Sequence, residues 1–496
     1  MNQTAQQQAS STGQLAEPGA GLLESIIEQS KAATNEAEKS RAKDLIGALA
    51  KEVLAGSVVV DKDLVASINA RIAALDALIS AQLDEVMHQP EFQRLEGSWR
   101  GLNYLVMESE TSTMLKIKVF NVSKKDLLKN FRTSAEFDQS SLFKRFYEDE
   151  YGTFGGAPYA AILGDYEFTR HPEDFELLEK LSEVAAAAHS PFIGAAAPGL
   201  FGLQSHTQIG TIRDIAKTMD TTEYVKWKSL RDSDNSRYVG LVMPRTLGRL
   251  PYGPDTLPVE AFNYTENVDG TDHNKYLWSN AIYSYGTVLT NAFAQFEWLA
   301  AIRGVENGGL VENLPVHTFA TDDGEIAMKC PTEVAITDRT EKVLSDLGFI
   351  ALTHCKNTDK AAFFGGQSIQ KAKTYSTDAA NANARLSTRL PYIFAASRIA
   401  HFLKAIVRDK IGSFKSRQDM QNFLNKWLQK YVNLDDTAPD EIKAKQPLRE
   451  ASVDVKEDKA NPGSYGAALF LRPHFQLEEL TTSLRLVANL PKPTQQ

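Results

Sequence analysis

The feature that most constrains this chain is the strand-like pattern of residues 447–490. Apolar and polar residues alternate there in three successive runs, and alternation with a period of two indicates β-strands. Asn461-Pro462-Gly463, between the first two runs, has the residue types that favour a tight turn. The predicted strands centre on the pairs Val453 and Val455, Leu469 and Leu471, and Leu484 and Leu486.

A small sheet in this position has edges. An edge strand presents N–H and C=O groups that can pair with a strand of another chain. Two interpretations therefore stay open: strands from other chains complete the sheet, or the same chain completes it. The pattern alone favours the second, because most natural edges are protected.

The bulk properties exclude several classes of protein. With 496 residues the chain exceeds one hydrophobic core, so two or three domains are expected. The net charge of −9 argues against a general nucleic-acid binder, which needs a basic face. Two cysteines, Cys330 and Cys355, are too few for a disulfide framework and fit a reducing cytoplasm.

The sequence predicts a cytoplasmic protein with no membrane insertion. The N-terminus lacks a secretory pattern, and no run approaches the ~20 apolar residues of a membrane helix. Residues 1–20 are polar and rich in Gln, so we expect a disordered tail.

Residues 21–88 are predicted to form a helical region. Its first helix is short and amphipathic, and it docks either in a groove of another protein or on its own domain. The apolar stripe of that helix consists of Leu22, Leu23, Ile26 and Ile27. Helices over 41–54 and 63–87 follow; the latter, roughly 37 Å long, pairs either with a partner helix or within the chain.

Residues 89–360 and 361–496 are predicted to be a mixed α/β domain and a C-terminal region. The alternation of elements favours an α+β or mixed α/β, multi-domain fold. Predicted strands cover 114–120, 160–163, 238–243, 315–319, 333–336 and 349–353. Predicted helices cover 126–131, 175–188, 276–303 (one helix or two), 390–411 and 418–432.

No reactive constellation is recognisable. The phosphate-binding, nucleophile-elbow and zinc-protease motifs are all missing from the sequence. His354 and Cys355 are adjacent and face opposite sides of a strand, so they do not readily share a metal with Cys330. His401 is expected to be a structural histidine, and His206 to serve loop geometry. We therefore expect a protein that is not an enzyme, with no catalytic residue, metal site or cofactor.

A set of long strings is more specific than any short motif. The strings are 95–102 (LEGSWRGL), 151–156 (YGTFGG), 230–233 (LRDS), 237–241 (RYVGL), 261–267 (AFNYTEN), 314–317 (LPVH), 331–333 (PTE), 336–339 (ITDR), 368–371 (SIQK), 461–463 (NPG) and 471–475 (LRPHF). In the same order, they resemble the large subunit of the type VI secretion contractile sheath, the TssC/VipB family. The match runs from about residue 21 to about residue 487.

The resemblance implies a structural role. In the family, the large subunit pairs with a small subunit, TssB or VipA, and the heterodimers stack as a helical sheath around a tube of Hcp rings. Contraction drives the tube out of the cell, baseplate proteins are further partners, and the AAA+ ATPase ClpV disassembles the contracted sheath. The resemblance also implies a phage-tail-sheath-like fold in the later half.

The resemblance further implies roles for two segments. The family's ClpV-recognition helix maps onto the stripe within 22–27, and its interlocking sheet maps onto 447–490. Neighbouring subunits then complete the C-terminal sheet, and each joint holds through backbone hydrogen bonds while subunits rotate. Two alternatives stay open beside a sheath subunit. One is a cytosolic α/β enzyme with an unrecognised site, and the other is the sheath of a different phage-like contractile device.

Overall fold

The computed structural model describes residues 36–54, 64–321, 323–410, 417–435, 437–457 and 465–474. The longer helices are α1 (Glu36–Leu54), α2 (Leu64–Met87), α3 (Pro90–Met107), α4 (Lys124–Thr133), α5 (Pro172–Ala188), α6 (Val225–Asp232), α7 (Ala281–Phe296), α8 (Asp338–Asp346), α9 (Asp378–Ser387), α10 (Leu390–Asp409) and α11 (Arg417–Leu428). Shorter helical segments are Phe137–Gln139, Ser141–Phe143, the π-helix Lys144–Gly152, Pro198–Phe201, His206–Thr211, Ile215–Thr218, Thr222–Tyr224, Asn235–Tyr238, His273–Lys275, Gln429–Tyr431 and Asp440–Lys445.

A six-stranded sheet, in the order β1-β2-β3-β9-β10-β6, organises the middle of the chain. Strands β1, β2, β3 and β9 are parallel, and β10 pairs antiparallel with β9 and β6. Pairs β4–β5, β7–β8 and β11–β12 form three small antiparallel sheets. The strands are β1 (Ile162–Phe168), β2 (Phe192–Ala196), β3 (Val239–Met243), β4 (Thr246–Leu247), β5 (Trp278–Ser279), β6 (Leu310–Val311), β7 (Thr318–Ala320), β8 (Ile326–Met328), β9 (Phe349–His354), β10 (Ala361–Phe363), β11 (Leu448–Glu457) and β12 (Tyr465–Pro473).

Both faces of the six-stranded sheet are buried, which explains the continuous apolar runs of its strands. Leu241 and Phe349 point into one core, where α5 and α6 contribute Leu178 and Trp227. Val242, on the opposite face, joins a second core with residues of α3, α7 and α10. Successive strand residues alternate between the two cores, as the period of two requires.

Two glycines allow α3 to approach β5 and α7 closely. A Cβ atom on Gly97 would lie 2.7 Å from the Trp278 carbonyl oxygen. A Cβ atom on Gly101 would overlap Cδ2 of Tyr283 and Oγ of Ser279. Both glycines belong to the string 95–102, so part of that string reflects close packing rather than chemistry.

Predictions at 160–163, 238–243, 315–319 and 349–353 overlap strands β1, β3, β7 and β9, whereas two other strand predictions are wrong. Residues 114–120 pair with no strand in the described part of the chain, and a strand is defined by its pairing. Residues 333–336 form no ladder either; an isolated bridge between Thr332 and Thr246 holds this segment.

The helix predicted over 276–303 is shorter than expected. Residues Trp278–Ser279 form β5, and the Asn280 side chain then caps α7 by accepting a hydrogen bond from the Ile282 N–H (3.0 Å). The helix ends where Glu297 adopts a left-handed conformation with φ 64°. The predictions for α4, α5, α10 and α11 are confirmed, with ends shifted by a few residues.

Helix α1 and most of α2 belong to a compact unit of their own. That unit includes the segment Tyr252–Glu266, whose Tyr264 hydroxyl donates to Asp84 of α2 (2.8 Å). Large apolar side chains on α2 are more than a third exposed: Val65, Ile68, Ile72, Leu75, Leu78 and Ile79. The described residues of this unit therefore leave an apolar face of α2 uncovered.

One described helix, α10, is long and apolar enough by length and composition to cross a membrane. Half of its apolar window is buried inside the protein, including Ile399 and Leu403. The core helix of a soluble protein can have the same length and composition.

Candidate assembly interface

Strands β11 and β12 form an antiparallel hairpin that packs through one face of β11. Val453 pairs with Leu469, and Val455 with Ala467. Val453 and Val455, on which the first predicted strand centres, are buried in a small core with Leu424 and Leu428 of α11. Further members of that core are Trp298, Ile399, Leu403, Leu448 and Ala451.

Strand β12 is much less covered than β11. Leu469 is 36% exposed and Phe470 on the other face is 55% exposed, while Leu471 is half-buried. Leu469 and Leu471 therefore lie in a strand, as predicted, but the described residues bury them only in part.

The outer edge of β11 is sealed by side-chain amides of α11 and of Gln429, the first residue of the short helical segment that follows it. Asn425 donates from Nδ2 to the Val453 carbonyl (3.0 Å) and accepts at Oδ1 from the Val453 N–H (2.8 Å). Gln429 donates to the Ala451 carbonyl (3.0 Å), and the Val455 N–H donates to Gln421 (3.4 Å). The start of β11 is closed by the main chain instead, because the backbone N–H of Asn433 donates to the Leu448 carbonyl (2.8 Å).

The opposite edge of the hairpin belongs to β12. Because the main-chain groups of Val453 face α11, the groups of its partner Leu469 face away from β11. Alternation places those of Ala467 and Leu471 on the same outer edge. Among the described residues, the polar group seen at this edge is the Tyr392 hydroxyl, which donates to the Leu471 carbonyl (3.4 Å).

The remaining predicted site residues lie outside the described residues. They are Leu484 and Leu486 of the third predicted strand, and Leu22, Leu23, Ile26 and Ile27 of the N-terminal stripe.

Sequence reasoning missed a buried charge network at the carboxyl end of β2. His206 and Glu333 are both buried, and Nδ1 of His206 lies 2.8 Å from Oε2 of Glu333. The other ring nitrogen of His206 bonds the Ala196 carbonyl (3.1 Å). Burial opposes ionisation of Glu333, but hydrogen bonds from His206 and His273 outweigh it and hold the Glu333 pKa well below its usual range. The loop-geometry role expected for His206 therefore depends on a hydrogen-bond partner, Glu333, that the sequence did not identify.

Of the other chemistry-bearing residues, His354 and Cys330 lie within hydrogen-bonding reach of each other, and His401 serves structure. His401 is buried, as expected, and its Nε2 bonds the Ala188 carbonyl at the end of α5 (2.9 Å). Nε2 of His354 bonds the Thr358 carbonyl (2.8 Å). Within the described residues, no group of three or more His, Cys, Asp or Glu side chains is placed to hold a metal ion.

A polar cavity of about 210 Å³ lies between Asp234, Arg237 and Lys373. Ligand sites usually occupy about 300–1,000 Å³ and are mostly apolar. This cavity therefore lacks the size and lining of a typical substrate site.

The comparisons with known proteins agree with one another. A family model described as the EvpB/VC_A0108 tail sheath N-terminal domain matches residues 69–370, and the EvpB/VC_A0108 tail sheath gpW/gp25-like domain matches residues 379–490. The type VI secretion system sheath protein TssC1 of Pseudomonas aeruginosa strain PAO1 is 48% identical over 470 residues, which is 94% of each chain.

Two solved structures share a weaker similarity. The 6-fold symmetrised baseplate of the anti-feeding prophage has a TM-score of 0.34 and 10% identity, over 63% of this chain and 66% of that chain. The contracted helical sheath of the anti-feeding prophage has a TM-score of 0.29 and 10% identity, over 76% of this chain and 99% of that chain.

Proposed function

This chain belongs to the tail sheath family of type VI secretion systems, and we propose that strands of neighbouring subunits complete its C-terminal hairpin in a contractile sheath. The observation that carries the proposal is the outer edge of β12. Ala467, Leu469 and Leu471 present main-chain groups there, on a strand whose side chains are largely exposed.

A joint made by strand addition suits a structure that moves. Each backbone hydrogen bond contributes about 0.5–1.5 kcal/mol, and several along one strand form a strong link that depends little on side-chain identity. The joint then persists while the larger domains rotate about the connecting arms. The energy for contraction is stored in the packing of the extended sheath rather than in a chemical reaction of this chain.

The small sheath subunit is the proposed partner of α2. The exposed apolar face of this helix, which includes Ile68, Ile72 and Ile79, supports docking of an apolar partner surface. Burial of one such side chain contributes roughly 1.5–3 kcal/mol, so several together hold a stable heterodimer.

The remaining roles follow from the family and complete the proposal. The sheath surrounds a tube of Hcp rings in the cytoplasm, meets baseplate proteins at one end, and is disassembled by ClpV after contraction. The ClpV contact is assigned to Leu22, Leu23, Ile26 and Ile27. The double variant Leu23→Asp with Ile27→Asp should leave assembly intact and block recycling; unchanged ClpV binding by this variant would reject the assignment.

Co-expression tests the proposal. The chain should be poorly soluble alone and should form tubules, seen by electron microscopy, when it is co-expressed with the small sheath subunit. Size-exclusion chromatography with and without that subunit separates the alternatives. A well-behaved small oligomer that never forms tubules would contradict the proposal and favour an enzyme. Tubules formed by the chain alone would indicate a different contractile device.

A further inference from the structure

We propose that the amide side chains of Gln421, Asn425 and Gln429 act as a substitute strand that closes the outer edge of β11, so that an incoming strand pairs with β12 alone. This inference rests on the proposed function, since it names the edge at which the neighbour's strand is accepted and the residues that enforce the choice. The occupant is an extended segment of a neighbouring sheath subunit.

The geometry of a helix matches that of a strand edge at this spacing. Gln421 and Asn425 lie four residues apart on α11, a rise of roughly 6.0 Å, and Gln429 follows four residues later as the first residue of the short helical segment Gln429–Tyr431. Alternate residues of a strand are roughly 6.6–6.8 Å apart. The mismatch over three amides is small enough for all of them to reach the edge groups of Ala451, Val453 and Val455.

The chemistry of the seal also imitates a strand. A side-chain amide has one carbonyl acceptor and an N–H donor, as a peptide group has. Asn425 uses both at once on Val453, which reproduces the paired hydrogen bonds of an antiparallel ladder. A competing strand would have to displace these bonds and also move α11 away from the core around Leu424 and Leu428.

The consequence is a joint with one accepting edge. A hairpin with two open edges could pair with neighbours on either side, in several registers, and could aggregate edge to edge. A hairpin with one sealed edge accepts strands from one side only. The seal thereby determines on which side the neighbouring subunit binds. It also protects the free subunit from aggregation through the edge of β11.

The seal can be tested by measuring backbone amide hydrogen exchange of single residues in the full-length chain. The chain is kept dilute so that it does not assemble. In the wild type, the Val453 and Val455 amides should be protected before assembly, whereas those of Ala467, Leu469 and Leu471 should exchange rapidly. On assembly with the small sheath subunit, protection should appear at the β12 amides and stay unchanged at the β11 amides. Protection of the β12 amides already in the dilute chain, or new protection at Val453 on assembly, would overturn the proposal.

Variants separate the seal from general stability. In Gln421→Ala/Asn425→Ala/Gln429→Ala, the Val453 and Val455 amides should exchange at least about tenfold faster, the change that a loss of about 1.4 kcal/mol produces. The matched control Gln418→Ala/Asn422→Ala removes two amides of the same helix that bond each other and leave β11 untouched. Asn425→Leu keeps the side-chain volume and serves if the triple variant does not fold.

The outcomes distinguish this inference from the proposed function. Equal exchange of Val453 in wild type and variants rejects the seal, whether or not sheaths form. If the wild type forms no sheath with the small subunit, the proposed function fails and the one-sided joint fails with it. The exchange of the dilute chain then still decides whether the amides close β11.

Discussion

The six-stranded sheet and the C-terminal hairpin differ in how the rest of the chain covers their faces and edges. Both faces of the central sheet are covered by helices of the same chain, and residues such as Leu241 and Ile350 are fully buried. The hairpin buries one face of β11, seals one edge with amides, and leaves β12 largely exposed. The comparison teaches that the described residues cover both faces of the central sheet but leave most of β12 exposed, the part that the proposed function assigns to a neighbouring strand.

The largest effect on folding should come from the central core. Trp227 is 1% exposed and stacks on Phe349 with ring centroids 5.7 Å apart. Trp227→Ala should lower the free energy of unfolding by about 3–5 kcal/mol, measured by denaturant titration. The control Trp99→Ala removes a tryptophan that is mostly exposed and should change it by less than about 0.5 kcal/mol. Similar losses in both variants would break the comparison.

The stability of the fold should depend on pH through His401. This residue of α10 bonds the end of α5. Burial, opposed by the hydrogen bond to Ala188 and aided by the nearby Arg398, His189 and Lys404, lowers the His401 pKa to about 4. The unfolded chain therefore binds the proton first, and stability should fall as pH drops from about 6.5 to about 4, by at most about 3 kcal/mol.

The variant His401→Gln isolates this contribution. Its unfolding free energy, followed from pH 7 to pH 4, should show a shallower fall than that of the wild type, because the titrating group is gone. Parallel curves for the two proteins would show that His401 ionises equally in the folded and unfolded chain.

The close approach of α3 should be sensitive to one added carbon. Gly101→Ala places a Cβ against Tyr283 and Ser279, and overpacking of this kind costs about 1–3 kcal/mol. Gly47→Ala is the matched control in α1, where a Cβ meets open space. The control should be neutral or stabilising, because alanine favours a helix by up to about 1 kcal/mol over glycine. Thermal unfolding that shifts equally in both would contradict the packing argument.

The smallest effect on the free subunit should come from β12. Phe470 is more than half exposed, so Phe470→Ala should change the free energy of unfolding by less than about 0.5 kcal/mol. The same change should weaken the assembled sheath, measured as its resistance to dissociation by denaturant. A large loss of stability in the free chain would mean that Phe470 already packs on its own subunit.

Local patterns predicted a large part of the fold. The apolar runs at β3 and β9 and the stripes of α5 and α10 follow from burial along one chain segment. The strand predicted at 114–120 failed because alternation shows which residues suit a strand but not whether a partner strand exists. The spacing of Gly97 and Gly101 was visible in the sequence, but the helix and strand that they approach lie far along the chain.

The sequence predicted where the C-terminal strands lie, but not which edge of the hairpin is closed. The alternation at Val453 and Val455 predicted a strand, which the structure confirms as β11. Gln421, Asn425 and Gln429 recur every four residues, a signal that fits any exposed face of a helix. Their contact with β11 depends on the tertiary packing of α11, as the pairing of His206 with Glu333 depends on residues 127 positions apart.

The substitution Leu469→Pro tests most directly the claim that a neighbouring strand completes the hairpin. The Leu469 N–H faces away from β11, so Leu469→Pro removes a donor from the accepting edge and spares the ladder between β11 and β12. Leu469→Ala is the matched control, because it shortens the same side chain and keeps the donor. On co-expression with the small sheath subunit, electron microscopy should show tubules for Leu469→Ala and none for Leu469→Pro, although both variants fold. Tubules formed by Leu469→Pro at the wild-type yield would contradict the claim that a neighbouring strand completes the hairpin.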